Sequence, residues 1–271
     1  MEMPDQATAL AARQRLLHDC EEMKRMLHGL LDSKGRVAEE IHAIRKLGKS
    51  LRGGFALFGL GKSAASQIQA IGRLLAGPRD AVSRFNTWNK LGWVGEPRAC
   101  TAIAGLLEQQ THSAARRPPP EAIDWCAARV DASCAELLAL PENTLAGRCS
   151  GGLDKLRRKL RKRFKDLDHG REEDFHEARK ALKAWLGALG FLPDRSPAAD
   201  SSPLKLADWL GDENDLATLG IWLDEHGFTG RFEPGLWQCL SAERQRLQDK
   251  TAAESKCLRK ELKASWMTGA E

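Results

Sequence analysis

Histidine, arginine and lysine recur at the same spacing in two distant stretches of the chain. Residues 41–52 read IHAIRKLGKSLR and residues 175–186 read FHEARKALKAWL, so both follow the pattern apolar-His-x-x-Arg-Lys-x-x-Lys. Each matched residue of the second stretch lies 134 positions after its counterpart in the first. Arginine and lysine hold a positive charge at neutral pH and donate several hydrogen bonds, which suits them to phosphate oxygens. A repeated cluster of this composition indicates an internal repeat and an anion-binding function.

The cations of each stretch share one side if the stretch is helical, because each residue advances about 100° around a helix axis. That side carries His42, Arg45, Lys46, Lys49 and Arg52 on the first stretch, and His176, Arg179, Lys180 and Lys183 on the second. Apolar residues occupy the other side of both helices. The cationic sides have no acidic residue at the matching positions, which favours a polyanion over a metal ion or a carboxylate network. For a single helix of this kind, the alternative is that the cations only solvate an exposed face. The second copy, with its cations at the same helical positions, argues against this alternative.

The rest of the composition is that of a soluble globular protein. The net charge is only +5 over 271 residues, so an anion-binding surface must come from the arrangement of the charges. No apolar run is long enough to cross a membrane, and the first residues, MEMPDQ, lack the basic and apolar regions of a signal peptide. Seven scattered cysteines without a CxxC pair predict reduced thiols and no structural zinc. We therefore expect a cytoplasmic protein with no cofactor, no metal and no membrane contact.

Apolar residues recur at helical spacing along the whole chain. Helices are predicted over residues 8–31, 41–58, 63–75, 77–88, 98–110, 121–140, 153–167, 175–186 and 234–266, with leucine-rich segments at 206–210 and 216–223. The segment Cys149–Gly152 is predicted to be a hinge ahead of residues 153–167. No stretch keeps the period of two that a half-buried strand requires for more than a few residues. The protein is therefore predicted to be all-α.

Residues 153–167 (LDKLRRKLRKRFKDL) form the most basic stretch and have an apolar stripe at helical spacing. At the offset of 134 this stretch corresponds to the first helix. We predict contributions to the anion site from Lys24 and Arg25 on the first helix, and from Arg158 and Lys162 on this one. Gly77 and Gly211 are also 134 positions apart, which extends the repeat beyond the two motif helices.

Residues 59–63 (GLGKS) look like the end of a phosphate-binding Walker loop. That loop requires a glycine where Ala56 stands and must follow a strand, whereas this segment follows a predicted helix. We interpret it as a glycine-rich helix C-terminus.

The two HxxRKxxK helices, each preceded by another helix and followed by a leucine-rich one, resemble the CHAD family, the conserved histidine α-helical domain. The resemblance runs from about residue 8 to 267. It implies two pseudo-symmetric helical bundles from an internal duplication, with a basic cleft or pore between them; residues 1–140 and 141–271 would be the two halves. It also implies binding of inorganic polyphosphate, often at polyphosphate granules. The CYTH triphosphatase domain to which CHAD domains are frequently fused is not expected, since no β-rich segment is present.

The second copy of the motif departs from the first and from the family pattern. Leu186 stands where the first copy has Arg52, and Trp185 and Leu186 replace an Arg-Tyr pair that is frequent in the family. Residues 212–215 (DEND) are acidic where the first half has Pro78 and Arg79. The basic lining is therefore predicted to be thinner on the second side.

We predict non-catalytic binding of inorganic polyphosphate, for which sulfate or phosphate would be mimics, on granules in the cytoplasm. A flexible chain with about one negative charge per unit needs cations over several helical turns more than it needs one shaped pocket. Two alternatives remain: a phosphate-chain hydrolase or transferase that uses His42 and His176, and general polyanion or nucleic-acid binding through residues 157–165. The first lacks carboxylates paired with the histidines for a divalent metal. The second lacks aromatic residues interleaved with the basic ones.

Overall fold

The computed structural model describes residues 4–33, 35–114, 117–167, 171–193 and 201–267, and every structural statement below concerns these residues. They form ten α-helices and no strand: α1 Gln6–Gly29, α2 Val37–Leu57, α3 Ala64–Leu74, α4 Ala76–Leu91, α5 Pro97–Ala114, α6 Pro120–Leu138, α7 Leu145–Asp166, α8 Glu172–Leu189, α9 Ser202–Glu225 and α10 Pro234–Met267. The prediction of an all-α protein is confirmed. None of these helices combines the length and the apolar character needed to cross a bilayer.

Both motif stretches lie in helices whose apolar side is buried. On α2, Ile41, Ile44 and Phe55 have no exposed surface. On α8, Phe175 and Leu182 are buried in the same way. Acidic residues occupy the first turn of each helix, where they interact favourably with the positive end of the helix dipole. Burial of the apolar side fixes the rotation of each helix and leaves the cationic side toward the surface.

α2 and α8 cross in close contact because glycines lie at the crossing. A Cβ atom on Gly53 would lie 2.6 Å from the backbone nitrogen of Ala188, and one on Gly187 would lie 3.1 Å from the carbonyl oxygen of Ser50. The two glycines are themselves 134 positions apart. A larger residue at Gly53 would push the helices apart, since the atoms it would meet belong to the backbone. Backbone contact therefore fixes the two motif helices relative to each other.

The buried apolar side chains form two clusters. The larger one joins α1, α2, α3, α6, α7 and α8 with the start of α9 and the end of α10. The smaller one joins α4 and α5 with the rest of α9 and the first half of α10. Each cluster contains helices from both sides of residue 140. The predicted halves therefore share both cores, and the division at residue 140 stays a prediction.

The segment Cys149–Gly152 is not a hinge. It lies inside α7, which runs from Leu145 to Asp166. Gly152 instead allows close packing, since a Cβ atom there would lie 1.9 Å from the carbonyl oxygen of Leu57 on α2. The prediction was wrong because a glycine that permits a helix crossing has the same appearance in the sequence as one that ends a helix.

The chain after α2 turns as predicted, but the two halves then differ. Gly59 has a φ angle of 82°, which glycine adopts without strain, and the GLGKS segment leads from α2 into α3 as a turn. α3 ends at Leu74 and α4 begins at Ala76, whereas α9 continues through Gly211 from Ser202 to Glu225. The correspondence between Gly77 and Gly211 in the sequence therefore does not produce the same backbone break.

Candidate anion-binding site

Three of the predicted cations line a pocket between α2 and α3. Arg45, Lys49 and Arg52 come from α2, and Arg73 of α3 joins them. The pocket has a volume of about 170 Å³. The rest of its wall is uncharged and is made by Met23, Ile44, Gly48, Ile68, Gln69, Ile71 and Gly72. The charged part of this wall is therefore entirely positive.

Arg45 holds the two helices of the pocket together. Its Nη1 donates a hydrogen bond of 2.8 Å to the carbonyl oxygen of Gly72, and its Nη2 lies 3.5 Å from Oδ1 of Asp80 on α4. The carbonyl of Gly72 lies in the last turn of α3, where helix carbonyls lack a partner within the helix. Arg45 thus caps α3 and orients it against α2.

Arg52 and Arg73 bring two positive charges to the same small space. Burial lowers the pKa of Arg52, and the nearby charge of Arg73 lowers it further. Both effects mean that the charged form of Arg52 is less favourable here than in water. An anion in the pocket would remove this penalty, because it would neutralise both charges and accept their hydrogen bonds. The pocket is therefore suited to bind a phosphate group.

The remaining cations of α2 are directed toward α8. At about 100° per residue, His42 and Lys46 lie within about 20° of Gly53 around the α2 axis, and Gly53 contacts α8. Lys49, which lines the pocket, lies about 40° from Gly53 on the same side. The same spacing places His176, Lys180 and Lys183 on the side of α8 that carries Gly187. His42, Lys46, His176 and Lys180 are exposed. Both rows of cations therefore flank the crossing on sides that solvent can reach.

The cations of α8 have polar partners of their own. Nδ1 of His176 lies 2.9 Å from Oδ1 of Asn214 on α9, and Nζ of Lys180 lies 2.8 Å from Oε1 of Glu177. Arg163 of α7 lies 3.4 Å from the other oxygen of Glu177. The hydrogen bond from Lys180 lowers the pKa of Glu177, so this acid is ionised near neutral pH. Glu177, to which the sequence pattern assigned no role, therefore offsets part of the positive charge of α8.

Lys24 and Arg25 lie away from the α2–α3 pocket. They line a groove between α1 and α6 together with Glu21, Asp124 and Asp131. Nζ of Lys24 lies 2.7 Å from Asp131 and 2.9 Å from Glu21, which raises the pKa of Lys24. Arg25 pairs with Glu22 on the same helix. Acids therefore compensate the charge of both residues.

Arg158 and Lys162 lie in a different groove, between α7 and α10, where six further cations accompany them. The four of these that α10 supplies were not predicted, although their regular spacing in the sequence was a usable signal. Arg73 was not predicted either. The repeat gave no signal for it, because the residue 134 positions later is Ala207. Within the described part of the chain, no group of three or more His, Cys, Asp or Glu side chains is arranged to hold a metal ion.

Comparison with known proteins assigns the chain to a family. The family model of the CHAD domain matches residues 15–224. The chain belongs to the CHAD family. This family is linked to polyphosphate binding. The CHAD match ends within α9, so α10 lies outside it.

The solved structure of PptA from Streptomyces chartreusis has the same fold as this CHAD protein, with a TM-score of 0.52. The two sequences are 14% identical, and the match covers 96% of this chain and 99% of PptA. A search of curated proteins gave no match to the sequence.

Proposed function

We propose that this CHAD protein binds inorganic polyphosphate without hydrolysing it, through the arginine, lysine and histidine residues of α2 and α8. The α2–α3 pocket would hold one phosphate group of the chain. The cations that flank the crossing of α2 and α8 would hold neighbouring phosphates. The observation that carries the proposal is the pocket in which Lys49, Arg52 and Arg73 meet with no acidic side chain in the lining.

The chemistry of these side chains fits a phosphate chain. The guanidinium groups of Arg52 and Arg73 can each donate two parallel hydrogen bonds to phosphate oxygens, while Lys49 acts as a point charge. From His42 to Lys49 the α2 helix rises about 10 Å at 1.5 Å per residue, so its row of cations can follow a linear ligand. The proposal extends to Arg158 and Lys162, and it assigns Lys24 and Arg25 a smaller share because acids compensate them.

A location at polyphosphate granules in the cytoplasm follows from this proposal. The internal duplication is part of the same proposal, and it is supported by the offset of 134 positions between Gly53 and Gly187. The alternative, phosphate-chain hydrolysis, would use His176 as a general base held by an orienting partner. The partner at Nδ1 of His176 is the amide oxygen of Asn214 and not a carboxylate. Release of orthophosphate from polyphosphate, measured with and without divalent metal, would separate hydrolysis from binding.

The test is the affinity for long-chain polyphosphate of a Lys49→Ala/Arg52→Ala/Arg73→Ala variant. Arg45 is left intact because it also caps α3. We expect a loss of about 3 kcal/mol, roughly 100-fold, if each of the three contacts contributes about 1 kcal/mol net. The slope of log K against log [salt] should fall by about 2, as for the loss of three phosphate contacts.

A matched control removes three exposed cations elsewhere: Arg98→Ala/Lys205→Ala/Arg231→Ala. This control has the same net charge as the test variant and should keep nearly all of the affinity. Circular dichroism checks that both variants fold. If the two variants bind equally well, the pocket is not the phosphate site and the proposal is wrong.

A further inference from the structure

A second basic surface lies between α7 and α10, separate from the α2–α3 pocket. It is a groove of about 600 Å³. All eight residues that line it are cationic: Arg158, Arg161, Lys162 and Lys165 from α7, and Lys256, Arg259, Lys260 and Lys263 from α10. Among the residues whose side chains the structure describes, the lining contains no acidic and no aromatic residue.

The two helices contribute cations at identical spacing. On α7 the lining residues fall at positions i, i+3, i+4 and i+7 starting from Arg158, and on α10 they fall at the same positions starting from Lys256. This spacing places four side chains on one helical face about 10 Å long. The groove therefore has two matched rows of positive charge along its two walls.

Apolar packing holds the two rows in place. Leu160 and Phe164 of α7 and Leu258 and Leu262 of α10 are buried in the larger hydrophobic cluster. They lie between the cationic positions in the sequence of each helix, so the helices cannot rotate to separate the charges without exposing apolar surface. The repulsion among the eight cations is thus a fixed property of the fold. Asp154 pairs with Arg158 and offsets part of this charge. A bound anion would lower the remaining repulsion.

The lining discriminates among polyanions. Single-stranded nucleic acids are held by aromatic side chains that stack on the bases as well as by cations on the backbone. The described lining of this groove consists of cations, which matches a chain of phosphates that carries no bases. A linear groove with two charged walls also fits an extended polymer better than a compact anion.

We infer that the groove between α7 and α10 is a second polyphosphate-binding site, so that one protein molecule contacts the polymer at two places. This inference rests on the proposed function for the identity of the ligand. Half of the lining comes from α10, which lies beyond the residues matched by the CHAD family model. A long chain that occupies both sites would bind more tightly than a short one, because the second contact becomes intramolecular.

The test compares a Lys256→Gln/Arg259→Gln/Lys260→Gln/Lys263→Gln variant with a control that removes four exposed cations elsewhere. The control is Lys62→Gln/Arg98→Gln/Lys205→Gln/Arg231→Gln, which has the same net charge. Tripolyphosphate is the short ligand, and calorimetry gives the number of molecules bound. The wild type and the control should bind two, and the α10 variant should bind one. The α10 variant should also lose about tenfold in affinity for long-chain polyphosphate.

The possible results separate this inference from the proposed function. If tripolyphosphate binds once to the wild type and to the α10 variant, and binding is lost in the Lys49→Ala/Arg52→Ala/Arg73→Ala variant, the second site does not exist. The proposed function of α2 and α8 then stands without a contribution from Arg158 and Lys162. If the α10 variant loses all binding, the groove is the sole site and the assignment to α2 and α3 is wrong. If single-stranded DNA displaces polyphosphate from the groove at equal phosphate concentration, the groove is a general polyanion site and the inference is overturned.

Discussion

α2 and α8 carry the same motif, but their surroundings differ. Beside α2, an open pocket brings Arg52 and Arg73 together. At the offset of 134, the corresponding residues beside α8 are Leu186 and Ala207, which carry no charge. Glu177 of α8 also binds Lys180, which reduces the positive charge of that helix. The repeated motif therefore produces a strongly cationic pocket on one helix and a partly neutralised surface on the other.

The backbone that packs on each helix accounts for part of this difference. α3 ends beside α2, so its terminal carbonyl at Gly72 takes a hydrogen bond from Arg45 and the end of α3 forms one wall of the pocket. α9 passes α8 without a break, and Asn214 within it contacts His176. Residues outside the motif thus decide how much of its charge is available to a ligand.

The largest effect is expected where the two motif helices cross. Gly53→Ala should reduce the free energy of unfolding by about 3 kcal/mol, because the new methyl group would overlap backbone atoms of α8. Gly187→Ala should cost less, since its closest contact would be 3.1 Å. Denaturant unfolding measures both. Gly105→Ala is the control: it lies within α5 with no atom within 4 Å of the added Cβ, and it should stabilise the protein by about 1 kcal/mol. If the Gly53 and Gly105 variants are equally stable, α2 and α8 do not cross in close contact at Gly53.

The next prediction compares α2 and α8 as binding surfaces. Lys49→Ala/Arg52→Ala should weaken polyphosphate binding by about 2 kcal/mol, and Arg179→Ala/Lys183→Ala should weaken it by only about 1 kcal/mol. Both variants lose two positive charges, so a difference in affinity reports the environment of the charges. Titration with long-chain polyphosphate at fixed salt measures it. Equal losses of affinity would show that the α2–α3 pocket adds nothing to the affinity that the motif cations provide.

The smallest effect concerns the acid on α8. Glu177→Gln removes the partner of Lys180 and should tighten polyphosphate binding at pH 7 about twofold to threefold, as expected for one exposed charge pair. The pKa of Glu177 is lowered, so the acid stays ionised until the pH falls below its ordinary value of 4.5. The pairing with Lys180 is present above that range and is lost as Glu177 takes up a proton. The advantage of the variant should therefore shrink as the pH falls through the lowered pKa. If the difference in affinity between the variant and the wild type does not change with pH, Glu177 acts by its shape instead of its charge.

The local features of this protein could be read from its sequence. The all-α fold, the burial of the apolar side of α2 and α8, and the turn at Gly59 all followed from residue types and their spacing. These features depend on neighbours within a few helical turns, and helical periodicity records such neighbours directly. The CHAD family was indicated by the resemblance of the two HxxRKxxK helices to that family, and the family model confirms it.

The tertiary structure decided which of the many cations meet. Arg73 joins Arg52 only because α3 packs on α2, and the row of cations on α10 meets the row on α7 only because both helices share the larger hydrophobic cluster. Gly152, which the sequence suggested as a hinge, packs against Leu57 from nearly a hundred residues away. The sequence by itself determined the composition of each helical face. The packing of distant helices determined which cationic faces lie together, because charge density at a point depends on contacts between residues that no local pattern relates.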